Sequence, residues 1–256
     1  MKDDTPFDWG VHALAEEGQL DLALGPLELE VRRTAGEIRI AHHRKGDPRP
    51  DRGSRWIRWV PAPDWTGEVA LTPAFPSRPV VVRPDNEFWL TQGSEARIYV
   101  RIPLDVEVAA LGPHRASLLT IPTKVLSDTW WGSTEEGVLH YYLDTKARRV
   151  MADAEFLEHL AVCPVHLTNG STDDLLVTRI ALHTEYLSLY RDGNRLWSDE
   201  TRVRYRGHEE ESSVAVGGEP PGEAQHAELV RSARMKMSRS FSARTFARLR
   251  SSLLGW

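Results

Sequence analysis

Apolar and polar residues alternate with a period of two along most of the chain, which is typical of β-strands with one buried face. The clearest example runs from Ala96 to Val108, where apolar residues share one face and charged residues dominate the other. Pro103 lies on the polar face of this segment. Because proline donates no backbone hydrogen bond, it predicts an edge position, a bulge or a break between two short strands.

The same alternation predicts many further short strands. They cover residues 19–24, 27–31, 37–40, 56–60, 68–71, 80–82, 116–119, 138–143, 161–167, 175–183, 186–190, 201–206 and 227–237. Short strands separated by short polar turns favour antiparallel pairing over alternating strand and helix units. We therefore predict an all-β protein, mainly an antiparallel β-sandwich, whose single domain spans residues 1–240. One short helix is predicted at 153–160.

After residue 240 the pattern takes on the period of a helix. At ~100° per residue, the apolar side chains fall within about 140° of arc and the arginines lie outside it. The sequence predicts a short C-terminal basic amphipathic helix over 241–256. Because an isolated helix of this length is marginal in water, its apolar face needs cover from the sandwich, a protein partner or an anionic membrane surface. The residues predicted to make this contact are Phe241, Arg244, Phe246, Arg248, Leu249, Leu253 and Trp256.

Charge is distributed unevenly, although the formal net charge is only −5. From residue 229 onward there are seven basic residues and no acid, whereas the preceding chain holds 25 basic and 37 acidic residues. An acidic stretch rich in glycine and proline, residues 207–228, predicts a flexible loop before the basic segment. Because the rest of the chain is acidic, we expect no nucleic-acid partner and interpret the basic run at 44–58 as a solvated loop.

Several classes of protein are excluded by the apolar segments and by cysteine usage. No apolar run approaches the ~18 residues of a membrane-spanning helix. The first six residues carry acids and lack the apolar region of a signal peptide, which predicts a cytoplasmic protein. The single cysteine, Cys163, excludes an internal disulfide and a zinc finger with thiolate ligands.

Candidate catalytic and metal-binding residues lack the spacing that their chemistry requires. The ten histidines include no H-E-x-x-H pattern, and the adjacent pair His42 and His43 points to opposite faces of a strand. Cys163 alternates with apolar residues, which favours a buried core thiol. No G-x-S-x-G or phosphate-loop motif is present. We predict a protein without catalytic residues, metal or cofactor; convergence of His140, His159 and His166 at metal-binding distance would overturn this.

The sequence Trp130-Trp131-Gly132 stands out among nine tryptophans. Neighbouring residues in a strand point in opposite directions, so one ring packs inward and the other is exposed. In the alternative, a long loop covers both rings. Exposed aromatic rings at a sheet rim stack on sugars or anchor protein partners. Trp130 and Trp131 are therefore the predicted contact residues outside the C-terminal helix.

Three segments resemble one known family. They are YVRIPLDVEV at 99–108, LLTIPTK at 118–124 and WWGSTEEGVLHYY at 130–142. Together they resemble the bacterial and archaeal family called domain of unknown function 432, in which a strand centred on proline leads to a glycine-containing hairpin. Trp130-Trp131 stands where that family more often has a Leu-Tyr pair. The resemblance covers about residues 94–205, and its motifs are packing and turn residues that imply no catalytic role.

Some members of that family are encoded beside small-conductance mechanosensitive channels of the bacterial inner membrane. The resemblance therefore implies an accessory or regulatory partner of such a channel. We predict a non-catalytic interaction module of the cytoplasm, at the cytoplasmic face of the inner membrane, with the C-terminal helix and the Trp130/Trp131 rim as contacts. The alternative is a small-ligand or carbohydrate-binding protein, or an uncharacterised enzyme, that uses the same aromatic rim.

Overall fold

A computed structural model describes residues 7–47, 56–132, 135, 137–148, 156–207, 211–237 and 241–243. Nearly all regular structure in these residues is β-strand, and the helical part consists of two short 3-10 turns, Thr184–Tyr186 and Gly222–Ala224. The chain divides into two compact units. Unit 1 comprises residues 1–74, 103–125 and 157–159, and unit 2 comprises residues 75–102, 126–156 and 160–256.

In the part of unit 1 that the structure describes, there are two antiparallel sheets of four strands each. The first has the order β1-β6-β10-β11, with β1 at Gly10–Ala13, β6 at Glu68–Ala74, β10 at Asp105–Ala110 and β11 at Ala116–Pro122. The second has the order β2-β3-β4-β5, with β2 at Gln19–Leu24, β3 at Leu27–Thr34, β4 at Glu37–Arg44 and β5 at Ile57–Trp59. The second sheet is a meander, and β2, β3 and β4 contain the segments 19–24, 27–31 and 37–40 that alternation predicts as strands.

A two-residue turn, Gly25-Pro26, joins β2 to β3. Gly25 has a φ of +58°, a left-handed conformation that glycine adopts without the penalty of a β-carbon. The space that a β-carbon would occupy there is filled by the imidazole ring of His159. A glycine is therefore required at this turn for two reasons, its backbone conformation and the close approach of a side chain.

The described residues of unit 2 form three sheets. The order β12-β13-β7-β16 describes the first, with β7 at Val80–Pro84, β12 at Ser127–Trp131, β13 at Val138–Ala147 and β16 at Ile180–Leu182. A two-stranded sheet pairs β8 at Phe88–Leu90 with β15 at Leu175–Val177. The third, eight-stranded sheet contains β9 at Glu95–Pro103, β14 at Leu160–Asn169, β17 at Leu189–Asp192, β18 at Arg195–Ser198, β19 at Thr201–Tyr205, β20 at Ser212–Val216, β21 at Glu228–Arg231 and β22 at Phe241–Ala243.

Most strand pairs are antiparallel, but unit 2 also contains parallel pairs. β13 runs parallel to β7, and β14 runs parallel to both β18 and β19. β14 also pairs with β9, so it lies in the interior of its sheet. Its residues from Ala161 to Val165 are all buried, so both faces are covered there, and a strand buried on both faces shows a nearly continuous apolar run.

The proline at residue 103 marks a break between two strands, the third of the predicted alternatives. β9 ends at Pro103 and β10 begins at Asp105. The apolar residues of both strands are fully buried, as the alternation predicts. The two strands belong to different units, because the division of the chain falls between Ile102 and Pro103.

Trp197 is the largest side chain of an apolar cluster in unit 2. Its side chain is 1% exposed, and its ring centroid lies 5.4 Å from that of Phe156. The other buried members of the cluster are Tyr99, Val162, Tyr190, Ala224 and Ala227. The cluster thus joins residues from across the eight-stranded sheet and from the 3-10 turn that precedes β21.

The acidic stretch at 207–228 contains regular structure, which corrects the prediction of a loop throughout. β20 lies within it and pairs with β19 and β22. Glu223 accepts hydrogen bonds from the hydroxyl of Tyr99 at 2.6 Å and from Arg97 Nη2 at 3.0 Å. These partners are distant in sequence, so the composition of the stretch alone could not indicate them.

The C-terminal helix predicted at 241–256 does not begin where expected, because Phe241–Ala243 form β22 and pair with β20. Residues 244–256 lie outside the described residues, so the helix beyond Ala243 stays a prediction. The helix predicted at 153–160 also falls mostly outside them, and its last residue, Leu160, begins β14. Within the described part of the chain, no helix has the length and apolar character needed to cross a bilayer.

Candidate functional site

The hairpin of β12 and β13 presents the two predicted contact tryptophans. Its register places Trp130 opposite Leu139 and Trp131 opposite Val138. Gly132 follows with a φ of +118°, a conformation that favours glycine, at the point where the chain leaves β12. Among the described residues β12 is one of the two edge strands of its sheet.

Trp130 and Leu139 form an exposed apolar patch on the outer face of this hairpin. Their side chains are 54% and 38% exposed, and directly opposite residues of an antiparallel pair share one face. Asp128 and Tyr141, the next opposed pair on this face, lie beside the patch. Arg78 bonds Asp128 at 2.9 Å and places its guanidinium 5.3 Å from the centroid of the Tyr141 ring. We call these five residues the outer patch; its apolar centre and charged rim are typical of protein interfaces.

Trp131 lies on the inner face of the same sheet and is 7% exposed. It packs with Val81, Ala181 and Tyr142. The side chains of Val81 and Ala181 are small, which leaves room for the indole above neighbouring strands. The prediction that one tryptophan packs inward and one is exposed is therefore confirmed, with Trp130 as the exposed one.

A pair of histidines lies beside Trp131 on the inner face. His140 is 4% exposed, with its ring centroid 6.3 Å from that of Trp131 and 6.1 Å from that of His183. Its Nδ1 lies 3.1 Å from the carbonyl oxygen of Val138, which fits an N–H donor at Nδ1. Its Nε2 is buried and forms no hydrogen bond within the described residues.

Glu185 extends this histidine pair. His183 Nδ1 lies 3.3 Å from Glu185 Oε1. Burial opposes ionisation of Glu185, but the hydrogen bond from His183 and the positive charge of Arg234 outweigh it and lower the pKa of Glu185. The carboxylate is therefore ionised at neutral pH.

Burial lowers the pKa of His140, and the neighbouring His183 adds to the effect. Burial also lowers the pKa values of His42 and His159, with contributions from Arg44 and Lys124 respectively. These rings are neutral in the folded protein at pH 7. In the unfolded chain they bind protons near pH ~6.5.

The stability of the protein is therefore expected to fall as the pH drops below about 6.5. Here the unfolded state binds more protons than the folded state, and each such histidine contributes up to about 1.4 kcal/mol per pH unit to the free energy of unfolding. We expect His140→Gln to reduce the slope of the free energy of unfolding against pH. Chemical denaturation at several pH values measures this slope. His226→Gln, at an exposed position, is the control and leaves the slope unchanged. An equal slope in wild type and His140→Gln would contradict the conclusion that burial lowers the pKa of His140.

The histidines that sequence analysis singled out do not converge. His140 packs beside His183 in unit 2, and His166 Nε2 lies 3.0 Å from Glu95 in the same unit. His159 belongs to unit 1, where it packs against Gly25. No group of three or more histidine, cysteine or acidic side chains in the described residues could hold a metal ion.

Cys163 is fully buried in β14, as its alternation with apolar residues predicts. Burial raises the pKa of its thiol to about 12. The thiol is therefore protonated at neutral pH and has little of the thiolate character that nucleophilic chemistry requires.

Sequence analysis missed the approach of His183 to His140. His140 lies in β13 and His183 follows β16, and both strands pair with opposite sides of β7. The pairing of β13 with β7 is parallel and bridges a long stretch of chain, so no local pattern could indicate it. Of the predicted C-terminal contact residues, only Phe241 lies in the described part, in β22. Arg244, Phe246, Arg248, Leu249, Leu253 and Trp256 lie outside the described residues.

Comparison with known proteins gives one match. A family model described as "Protein of unknown function (DUF432)" matches residues 8–250. No curated protein and no solved structure matches the chain. The match spans nearly the whole chain, far beyond the three segments that carry the resemblance in sequence.

Proposed function

The chain belongs to the DUF432 family, whose function is unknown, and we propose that it is a non-catalytic interaction module that binds a protein partner through the outer patch. The observation that carries the proposal is the exposed indole of Trp130 opposite the exposed side chain of Leu139 on an edge hairpin. Large aromatic side chains at the centre of an interface contribute most of its binding energy. The rim formed by Asp128 and Arg78 supplies polar complementarity at the edge of such a contact.

The proposed partner is a protein at the cytoplasmic face of the inner membrane. The family resemblance makes a small-conductance mechanosensitive channel the first partner to test. In this proposal the sheets form a β-sandwich, and a basic amphipathic helix after Ala243 adds a second contact. Arginines on such a helix favour an anionic membrane surface by about 1 kcal/mol each.

The test compares partner capture by two tryptophan variants of the full chain. We expect Trp130→Ala to weaken partner binding about 30-fold, which corresponds to about 2 kcal/mol for an aromatic anchor. Trp89→Ala is the matched control, because Trp89 is 63% exposed on β8 of the same unit. Each protein is used in detergent to capture partners from its native cells, and the affinity for the recovered partner is then measured.

Equal affinities of Trp130→Ala and Trp89→Ala for the partner would contradict the proposal. A full chain with Arg244→Gln and Arg248→Gln tests the C-terminal contact separately. We expect this variant to lose part of its affinity at low salt and to behave like wild type at high salt, because electrostatic attraction is screened. Identical binding at both salt concentrations would rule out the contact through these arginines.

A further inference from the structure

An open cleft of about 640 Å³ lies on the sheet β12-β13-β7-β16. Its lining comes from β12, from β13, from β7 and the turn that follows it, and from β15 and the residues that connect it to β16. All of these residues belong to unit 2. Small-molecule sites typically have volumes of about 300–1,000 Å³. The cleft therefore has the size of a site for a small ligand, and the chemistry of its lining indicates which kind.

Positive and negative charges in the lining of the cleft cancel. The lining holds two guanidinium groups and two carboxylates, which belong to Arg83, Arg179, Glu87 and Asp128. Glu87 lies 3.7 Å from Arg83, within ion-pair distance. An anion or a cation in the cleft would therefore meet like charge as well as opposite charge.

The charged groups at the border of the cleft keep this balance. Arg78 bonds Asp128 at 2.9 Å, and Asp144 lies opposite Arg83 in the parallel register of β13 and β7. The border thus adds one charge of each sign. Because a site selects an ion through an excess of the opposite charge, this lining favours a ligand without net charge.

Several polar side chains in the cleft retain unused hydrogen-bonding groups. Within the part of the chain that the structure describes, four side chains of the lining form no hydrogen bond or ion pair with another protein group: Thr129, Tyr142, Thr178 and Arg179. Their hydroxyls can each donate and accept, and the guanidinium offers only donors. An apolar ligand would strip water from these groups without replacing its hydrogen bonds. A ligand rich in hydroxyl groups satisfies both the donors and the acceptors.

An aromatic ring gives the cleft an apolar surface. Tyr142 is half-buried and packs against a buried cluster that fixes the orientation of its ring, formed by Val81, Trp131 and Ala181. The guanidinium of Arg179 lies 5.8 Å from the centroid of the Trp131 ring, so it is held beside the same cluster. A sugar ring carries hydroxyl groups at its edge and C–H groups on its faces, and these faces pack on aromatic side chains.

We propose that this cleft binds a neutral disaccharide, since its volume leaves room for more than one sugar ring. Tyr142 packs against one ring, and Arg179 and the threonine hydroxyls bond the hydroxyl groups of the sugar. The balanced charges of the lining discriminate against charged sugars. Trp130 points to the opposite face of β12, so the site is independent of the proposed protein contact.

Isothermal titration calorimetry of the full chain tests this proposal with maltose, cellobiose, lactose and trehalose, and with trehalose 6-phosphate as an anionic disaccharide. We expect at least one neutral disaccharide to bind saturably below about 10 mM, and trehalose 6-phosphate to bind more weakly than that sugar. Arg179→Gln should weaken the binding of the neutral sugar at least about tenfold, as loss of a charged hydrogen-bond donor predicts. Arg206→Gln, which changes an exposed arginine outside the cleft, is the control.

Two variants of Tyr142 test the contact between its ring and the sugar. Tyr142→Phe keeps the ring and should lose less affinity than Tyr142→Leu, which removes it. Thermal unfolding checks that each variant is folded. Equal affinities of these two variants for the sugar would contradict the stacking contact.

Absence of saturable binding by all four neutral disaccharides at about 10 mM would overturn the proposal. Tighter binding of trehalose 6-phosphate than of every neutral disaccharide would also overturn it, as would equal affinity of wild type and Arg179→Gln. Trp130→Ala should keep the affinity for the sugar, so failure of the proposed protein contact and failure of this site are separable.

Discussion

Trp197→Ala is expected to lower the free energy of unfolding of unit 2 by about 3–5 kcal/mol, the usual cost of truncating a fully buried tryptophan. The indole belongs to a cluster whose other buried members, including Tyr99, Val162 and Tyr190, come from several strands, so the cavity left behind cannot be closed by one neighbour. Chemical denaturation followed by circular dichroism measures the change. This loss approaches the whole stability of many domains, so we also expect a lower yield of folded protein.

Two other variants show whether the effect of Trp197→Ala comes from the cavity. Trp89→Ala removes the same side chain at an exposed position and should change stability by less than about 0.5 kcal/mol. Trp197→Phe keeps a ring in the cluster and should recover much of the loss. A cost below about 1 kcal/mol for Trp197→Ala would be incompatible with a well-packed cluster at this position.

Gly25→Ala is expected to destabilise the protein by about 2–4 kcal/mol, combining a left-handed backbone penalty with overpacking. The backbone at Gly25 has a φ of +58°. A methyl group there would lie within 2.6 Å of carbon atoms of the His159 ring. Chemical denaturation of the full chain measures the loss.

Gly36→Ala separates the two causes. Gly36 has a φ of +80° in the turn between β3 and β4, but no atom lies within 4 Å of the position a β-carbon would take. Gly36→Ala should therefore lower the free energy of unfolding by only about 1 kcal/mol, which is the backbone penalty alone. Adding His159→Ala to Gly25→Ala should cost less than the sum of the two single changes, because the clash is gone. Strict additivity would show that the methyl group and the ring do not meet.

Local patterns in the sequence predict those strands in which every second side chain is buried and the others are exposed. The strands from Gln19 to Arg44 follow from alternation, the break after Pro103 is one of the three outcomes that proline chemistry predicts, and the opposite directions of Trp130 and Trp131 are one of the two arrangements considered. Strands such as β8 and β20 were missed because three to five residues with mixed polarity carry too little pattern. β20 lies in an acidic stretch, where composition favours a loop.

The set of side chains that come together on the inner face of the hairpin depends on long-range strand pairing, which no local sequence pattern indicates. His140 and Arg179 lie beside Trp131, and His183 lies beside His140, because β7 pairs with β13 on one side and β16 on the other. The parallel pairing of β13 with β7 joins segments about sixty residues apart, and the intervening chain gives no sign of it. Sequence analysis therefore located the exposed tryptophan and left both the histidine pair and the cleft unrecognised.

The passage of the chain from β9 into β10 through Leu104 has a consequence for synthesis on the ribosome. The sheet β1-β6-β10-β11 in unit 1 needs β10 between β6 and β11, so β6, which pairs with β1, leaves the ribosome before its second partner strand exists. The contact of Gly25 with His159 forms later still, after a further part of unit 2 has been translated. Because unit 1 is assembled from three separate stretches, no single cut yields either unit as one continuous piece, and the nascent N-terminal strands need protection from aggregation until residue 159 emerges.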